Sequence, residues 1–159
     1  MALQVLYEHS FANNNLDRFL EVLDNLYPHL FDDPPHDLGR SWLGAFYVGM
    51  ALVNNGDSER GAALLRAGQD RRDKFEDAYD RAFLASVLSR LLLGDRDDAL
   101  QRLQLYSQGT RNPLSEYTTL LNDPTFAPIR DEPAFITLLE RYEESAAEQR
   151  QLVQAMNAD

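Results

Sequence analysis

Cysteine is absent from this 159-residue sequence, and tryptophan, histidine and long apolar runs are rare. Because there is no cysteine, the chain forms no disulfide, offers no thiolate to a metal ion and has no thiol nucleophile. The longest apolar run, at 42–53, has 12 residues, whereas a membrane-spanning helix needs about 20. The N-terminus lacks the basic segment and apolar core of a secretory signal. We therefore expect a cytoplasmic protein that does not enter a membrane.

Basic side chains are too few to balance the acidic ones. The chain has 15 lysine and arginine residues against 26 aspartate and glutamate residues, which gives a formal net charge of −11. An acidic surface repels phosphate backbones and anionic lipid headgroups. We therefore expect this domain to bind no nucleic acid directly and to have no membrane-surface partner.

Sequence motifs of common enzymes are also missing. The chain has no glycine-rich phosphate loop, no His-Glu-x-x-His pair and no Gly-x-Ser-x-Gly elbow. The segment 32–37 combines three aspartates with His36, which are ligand types that suit zinc or manganese. Its two adjacent prolines favour an acidic loop between helices. We predict that the protein is not an enzyme and needs no cofactor or metal; a small-ligand or metal-dependent sensor or enzyme at 32–37 is an alternative.

Apolar residues recur at steps of three and four along much of the chain, which is the period of an amphipathic helix. No stretch of comparable length alternates with period two. Short breakers such as 13–15, 54–57 and 122–124 separate the periodic segments. The sequence therefore predicts an all-α fold of about seven to nine helices. The clearest periodic series consists of Leu16, Phe19, Leu20, Leu23, Leu26, Tyr27 and Leu30.

A Gly-Asp pair occurs twice at an offset of 38 residues, at 56–57 and 94–95. In each pair we expect the glycine to be left-handed and to end one helix, while the aspartate caps the next. A small residue, Gly61 or Ala99, follows four residues after the aspartate, and Leu65 or Leu103 follows four residues later. A small residue there lets two helices approach closely, and the leucine fills the space between hairpins.

With this pattern the chain resembles the tetratricopeptide-repeat family, whose units are helical hairpins of about 34 residues. The resemblance implies a single domain over 1–159, folded as a right-handed solenoid of antiparallel hairpins at 2–30, 41–75, 78–108 and 113–157. The residues that carry it are Gly49, Leu52, Gly56, Asp57, Gly61 and Leu65 in one unit, and Val87, Gly94, Asp95, Ala99 and Leu103 in the next.

The segment 120–135 adds a second resemblance. It is similar to the end of tetratricopeptide regions in bacterial winged-helix regulators, adenylate cyclases and protein kinases, where Asp-Pro-x-Phe-x-x-(Ile/Leu)-Arg precedes a Pro-x-Phe helix start. The resemblance implies that Phe126, Ile129 and Phe135 seal the end of the solenoid and that a long C-terminal helix caps it. It also implies a regulatory or scaffolding C-terminal part of a bacterial signalling or transcription protein.

The family resemblance also implies a concave groove that binds a protein or peptide segment. We expect this partner segment to be apolar or basic. The alternative is that most of these side chains form the core. A second functional alternative is self-association, in which the last helix pairs between two copies in a homodimer. The groove residues predicted on this basis are Leu43, Phe46, Tyr47, Met50, Asn54, Arg81, Leu84 and Leu88.

Overall fold

The structure is a computed structural model that describes residues 2–32, 38, 42–74, 83–107 and 114–156. The all-α prediction is confirmed, because these residues form helices joined by turns and contain no strand. Two short 3-10 helices lie at Pro28–Leu30 and Pro124–Ile129. The α-helices of the described residues are α1 (Ala2–Ala12), α2 (Leu16–Leu26), α3 (Trp42–Asn54), α4 (Ser58–Arg72), α5 (Phe83–Leu92), α6 (Arg96–Ser107), α7 (Leu114–Asn122) and α8 (Pro133–Met156).

The chain divides into two compact units. The single domain over 1–159 stays a prediction. Unit 1 is Met1–Gly94 and holds α1 to α5, and unit 2 is Asp95–Asp159 and holds α6 to α8. The boundary lies in the Gly94-Asp95 turn, which is inside the hairpin predicted at 78–108.

Three turns between consecutive helices share one backbone geometry. A left-handed residue occupies each turn: Asn14 with φ of 53°, Gly56 with φ of 96° and Gly94 with φ of 79°. Each of these residues donates its amide N–H to the carbonyl three residues earlier, at 3.0–3.2 Å. The expected conformations of both glycines are therefore confirmed. Asparagine adopts the same conformation in the first turn because its short polar side chain tolerates it.

The helix that follows each turn also begins in the same way. The residue after the left-handed one is Asn15, Asp57 or Asp95, and its carbonyl accepts the amide N–H of the residue four positions later. Eight positions after it lies a leucine with no exposed surface, and these leucines are Leu23, Leu65 and Leu103. In the second turn the Asp57 carboxylate also accepts the amide N–H of Arg60 at 3.4 Å, as expected of an N-cap.

The closest helix packing in unit 1 joins α3 and α4. A Cβ placed on Gly61 would lie 2.8 Å from both the carbonyl oxygen of Gly49 and the amide nitrogen of Val53. A Cβ on Gly49 would lie 2.8 Å from the side chain of Leu65. The prediction that a small residue allows close approach at position 61 is therefore confirmed. At position 61 the contact requires glycine, since a Cβ would meet the backbone of α3, whereas a Cβ at position 49 would chiefly displace the Leu65 side chain.

Unit 2 has its own core around the segment after α7. The rings of Phe126 and Phe135 lie 5.5 Å apart, and both side chains are buried together with Ile129. The Asp123 carboxylate accepts the amide N–H of Thr125 at 2.9 Å and so caps the second 3-10 helix. The three residues predicted to seal the end of the fold are thus core residues of unit 2, and α8 follows them as a helix of 24 residues.

Candidate functional site

The predicted groove residues of α3 and α5 are mostly buried. Among the described residues, the exposed fraction is 0% for Phe46, 1% for Met50 and 6% for Tyr47, and it is 4% for both Leu84 and Leu88. Side chains with so little exposure present no surface to a peptide. Their burial favours the alternative reading, in which they form the core. Arg81, the predicted cationic residue of the groove, lies outside the described residues.

The packing around α3 explains this burial. This helix contacts α1, α2, α4 and α5, so neighbours lie on several sides of it. Every residue from Gly44 to Leu52 is buried. A helix that is apolar around its whole circumference belongs in a core. That composition was visible in the sequence, and it is the signal that separates α3 from a groove-lining helix with one polar face.

Asn54 and Leu43 are the two predicted groove residues with appreciable exposure. The Asn54 side-chain amide donates to the Met50 carbonyl at 2.9 Å and to the Tyr7 hydroxyl at 3.1 Å. Tyr7 is buried, and its ring lies 5.9 Å from that of Tyr47. Asn54 therefore connects the end of α3 to α1, while Leu43 is half-buried near the start of α3.

A buried polar cluster connects α4 to α5. The Gln69 side-chain amide donates to the Ser86 carbonyl at 3.0 Å and to the Ser89 hydroxyl, and its carbonyl accepts from the Ser86 hydroxyl at 3.2 Å. The Ser89 hydroxyl donates in turn to the Ser86 carbonyl at 2.8 Å. All three side chains are almost fully buried. Because these buried side chains are hydrogen-bonded to one another and to the backbone, the cluster joins the two helices and is explained as a structural feature.

Large apolar side chains are exposed together on the first hairpin. We name this set the outer hairpin face; it consists of Val5 and Leu6 on α1 and Val22 and Leu26 on α2, with exposed fractions of 59%, 40%, 39% and 63%. Val22 and Leu26 are one helical turn apart and share one side of α2. Leu6 and Val22 are each eight residues from Asn14 in the turn. They therefore lie at similar distances from the turn along the two antiparallel helices.

The charge of this hairpin is acidic. Four carboxylates, those of Glu8, Asp17, Glu21 and Asp24, accompany one cation, Arg18, within residues 2–26, so the formal charge of the hairpin is −3. The Asp17 carboxylate accepts the side-chain amide of Asn55 at 2.7 Å. Glu21 and Asp24 are also exposed on α2. They lie on another side of the helix from Val22 and Leu26, because the residues one turn from Val22 are Arg18 and Asn25.

Unit 2 has exposed apolar side chains as well, but they are separated along the chain. Among its described residues, Leu105 lies on α6 and Leu121 on α7, while Ile136 and Met156 lie at opposite ends of α8. Among the side chains that the structure describes, none of these helices has two such residues within one turn. Isolated exposed apolar residues are common on protein surfaces and indicate no site. They do provide matched controls for the outer hairpin face.

The predicted metal loop at 32–37 is described only at Asp32, and residues 33–37 lie outside the described part. In the ranges that the structure covers, no group of three or more histidine, aspartate or glutamate side chains is placed to hold a metal ion. None of the helices described is both long enough and apolar enough to cross a membrane.

One hydrogen bond in unit 2 predicts a measurable pH effect. The Tyr117 hydroxyl donates to the Glu143 carboxylate at 2.9 Å, and this bond, followed by burial and by the carboxylate charge, raises the pKa of Tyr117 above its ordinary value. The bond's contribution to stability is therefore full below about pH 10 and declines as the pH rises through the raised pKa.

Glu143→Gln is expected to lower the pKa of Tyr117, measured by NMR titration of labelled tyrosine. Glu144→Gln is the control, and an equal shift in both variants would contradict the assignment.

No protein-family model, curated protein or solved structure matches this chain.

Proposed function

We propose that the chain is a non-catalytic protein-binding domain built from tetratricopeptide-like helical hairpins. Its proposed architecture is a right-handed solenoid, and its proposed role is regulatory or scaffolding, within a bacterial signalling or transcription protein of the cytoplasm. The single observation that carries the proposal is the turn geometry shared by Asn14, Gly56 and Gly94. The partner is a protein or peptide segment.

The shared turn supports a repeat because more recurs than the residue types that usually end one helix and begin the next. The same left-handed position, the same backbone hydrogen bonds and the same buried leucine recur at spacings of 42 and 38 residues. Periods of 20 to 50 residues with one hairpin each are the signature of stacked helical repeats. Such stacks expose a long surface relative to their core, and most serve as binding scaffolds.

The exposed surface favours the outer hairpin face over the groove as the binding site. Most of the described groove residues are buried, whereas Val5, Leu6, Val22 and Leu26 are accessible. Clustered exposed apolar side chains next to polar ones are typical of protein-binding surfaces. The proposed site therefore lies on the first hairpin of unit 1.

Site-specific photo-crosslinking tests the proposed function. A photoreactive amino acid replaces Leu26 in one variant and Leu105 in another, since both side chains are about half exposed or more, and both lie near the end of a helix. Each variant is irradiated in the cells that produce the protein, and adducts are identified by mass spectrometry. We expect a discrete polypeptide adduct at position 26 that is absent at position 105.

The identified polypeptide is then made in pure form and titrated against the unmodified chain. Saturable binding that Leu26→Ala weakens would support a protein-binding function. Equal adduct patterns at both positions would contradict the proposal. A single adduct between two copies of the chain would favour the alternative function of self-association.

A further inference from the structure

The turn between α3 and α4 contains the one asparagine in the sequence that precedes a glycine, Asn55 before Gly56. In an Asn-Gly pair the backbone nitrogen of the glycine can attack the side-chain carbonyl carbon of the asparagine and close a five-membered ring. Glycine favours this reaction because it has no side chain to hinder the approach. Asn55 is exposed, and a Cβ placed on Gly56 would meet no atom beyond its chain neighbours within 4 Å. Water therefore has access to this turn.

Two adjacent asparagines connect this turn to the first hairpin. The Asn55 side-chain amide donates to the Asp17 carboxylate of α2 at 2.7 Å. The Asn54 side-chain amide donates to the Tyr7 hydroxyl of α1 at 3.1 Å. A hydrogen bond to a carboxylate is stronger than one between neutral groups. Asn55 therefore supplies a strong polar contact between the turn and α2, and this contact depends on its amide group.

Hydrogen bonds of the folded chain hold both reacting groups away from each other. The Gly56 amide N–H donates to the Val53 carbonyl at 3.2 Å, as part of the turn that ends α3. The Asn55 side chain is held by Asp17. Ring closure needs the nitrogen without its hydrogen and the side chain turned towards it, so both hydrogen bonds must open first. The folded chain should therefore react more slowly than the unfolded one, at a rate that the bond to Asp17 limits.

We propose that Asn55 is a site of spontaneous deamidation that Asp17 restrains, and that the modification weakens the contact between the α3–α4 turn and α2. The Gly56 nitrogen loses its proton to solvent and forms a bond to Cγ of Asn55. The bond from Cγ to Nδ2 then breaks, and this nitrogen takes up a proton and leaves as ammonia. Water opens the ring at either carbonyl, which leaves aspartate or isoaspartate at position 55. The net reaction consumes one water, releases one ammonia and needs no oxidant or cofactor.

The product of this reaction reverses the chemistry of the contact. A carboxylate accepts hydrogen bonds but has no N–H to donate, so the bond to Asp17 is lost. Two carboxylates then face each other where an amide faced a carboxylate, and like charges repel. Isoaspartate also adds one carbon to the main chain of the turn. The modification therefore loosens α2 from the turn, and it does so independently of the proposed protein-binding function.

The rate of deamidation tests the restraint. The purified full chain is incubated at mildly alkaline pH, well below its melting temperature, and peptide mass spectrometry measures conversion at Asn55. Asp17→Ala is expected to accelerate the reaction about 3-fold or more, the effect of removing one hydrogen bond that must open. Glu21→Ala is the matched control, since it removes the same charge from an exposed position of α2, and it should leave the rate unchanged. In urea the chain should react fastest, and there Asp17→Ala should have no effect.

Hydrogen exchange tests the consequence. Asn55→Asp reproduces the aspartate product and is expected to accelerate exchange of α2 amides about 3-fold or more, measured by mass spectrometry. Gln151→Glu makes the same change from amide to carboxylate at an exposed position of α8 and should leave α2 unchanged. The deamidated fraction of the incubated chain, separated by ion exchange, provides the same measurement on the reaction's own products.

Three results would overturn the inference. The first is a folded Asp17→Ala chain that keeps its Asn55 amide while the unfolded chain is converted. The second is equal acceleration by Asp17→Ala and Glu21→Ala, because the hydrogen bond would then impose no specific restraint. The third is unchanged exchange of α2 in both Asn55→Asp and the deamidated fraction, because the modification would then have no effect on the contact.

Discussion

Phe46→Ala is expected to lower the free energy of unfolding of unit 1 by about 3–5 kcal/mol, the range for removing a large aromatic side chain from a core. Phe46 has no exposed surface, and its ring lies 5.9 Å from that of Trp42 in an edge-on arrangement. A Cβ on Gly68 would lie 3.2 Å from the same ring, so α4 also packs against it. Truncation therefore leaves a cavity that rigid helix backbones cannot close.

Urea denaturation measures this effect. Trp42 is the only tryptophan in the sequence, so its fluorescence reports on unit 1. The substitution also alters the surroundings of the indole, and circular dichroism therefore provides a second probe of unfolding. Leu26→Ala is the control, since an exposed side chain contributes about 0.5 kcal/mol or less. If Phe46→Ala were as mild as the control, Phe46 would not be a core residue and the predicted groove would regain its support.

Gly61→Ala is expected to destabilise unit 1 by about 1–3 kcal/mol, the usual cost of overpacking. In a helix, alanine is normally more favourable than glycine by about 1 kcal/mol. Helix propensity alone would therefore predict that Gly61→Ala raises the free energy of unfolding, whereas we expect it to fall. The reason is steric, because the new methyl group would meet backbone atoms of Gly49 and Val53 that belong to a neighbouring helix. To accommodate it, α3 and α4 must separate along their whole contact.

Two further variants make this second prediction specific. Arg66→Ala changes an exposed position of the same helix and is expected to stay within about 0.5 kcal/mol of the unmodified chain. Adding Val53→Ala to Gly61→Ala removes the side-chain atom 2.7 Å from the new methyl group but leaves the backbone clash, so stability should not be restored. A neutral or stabilising Gly61→Ala would mean that the two helices are farther apart than the structure places them.

Local chemistry made the turns predictable. Glycine followed by aspartate indicated a left-handed residue and a helix start at 56–57, and the structure has both. The small residue at position 61 could be predicted for the same reason, since close helix packing depends on a side chain's size. These features depend on residues within about eight positions of each other, so no long-range information is needed.

The exposed apolar residues could not be predicted in this way, because burial depends on which helices become neighbours. The periodic series that identified α2 includes both Leu23 and Leu26, yet their exposed fractions are 0% and 63%. Their shared period indicates a helix but does not state how wide its covered side is. That width depends on the neighbours α1 and α3, and none of the described helices covers Leu26.

The sequence by itself therefore determined the helices, their turns and the small residue that lets α4 approach α3, since backbone conformation and side-chain size act over short distances. Tertiary structure decided which apolar residues are core and which remain accessible. Packing of four helices around α3 buried most of the described residues that were predicted to line a groove. The same packing left Val5, Leu6, Val22 and Leu26 exposed, because contact with α3 covers only part of the circumference of α1 and α2.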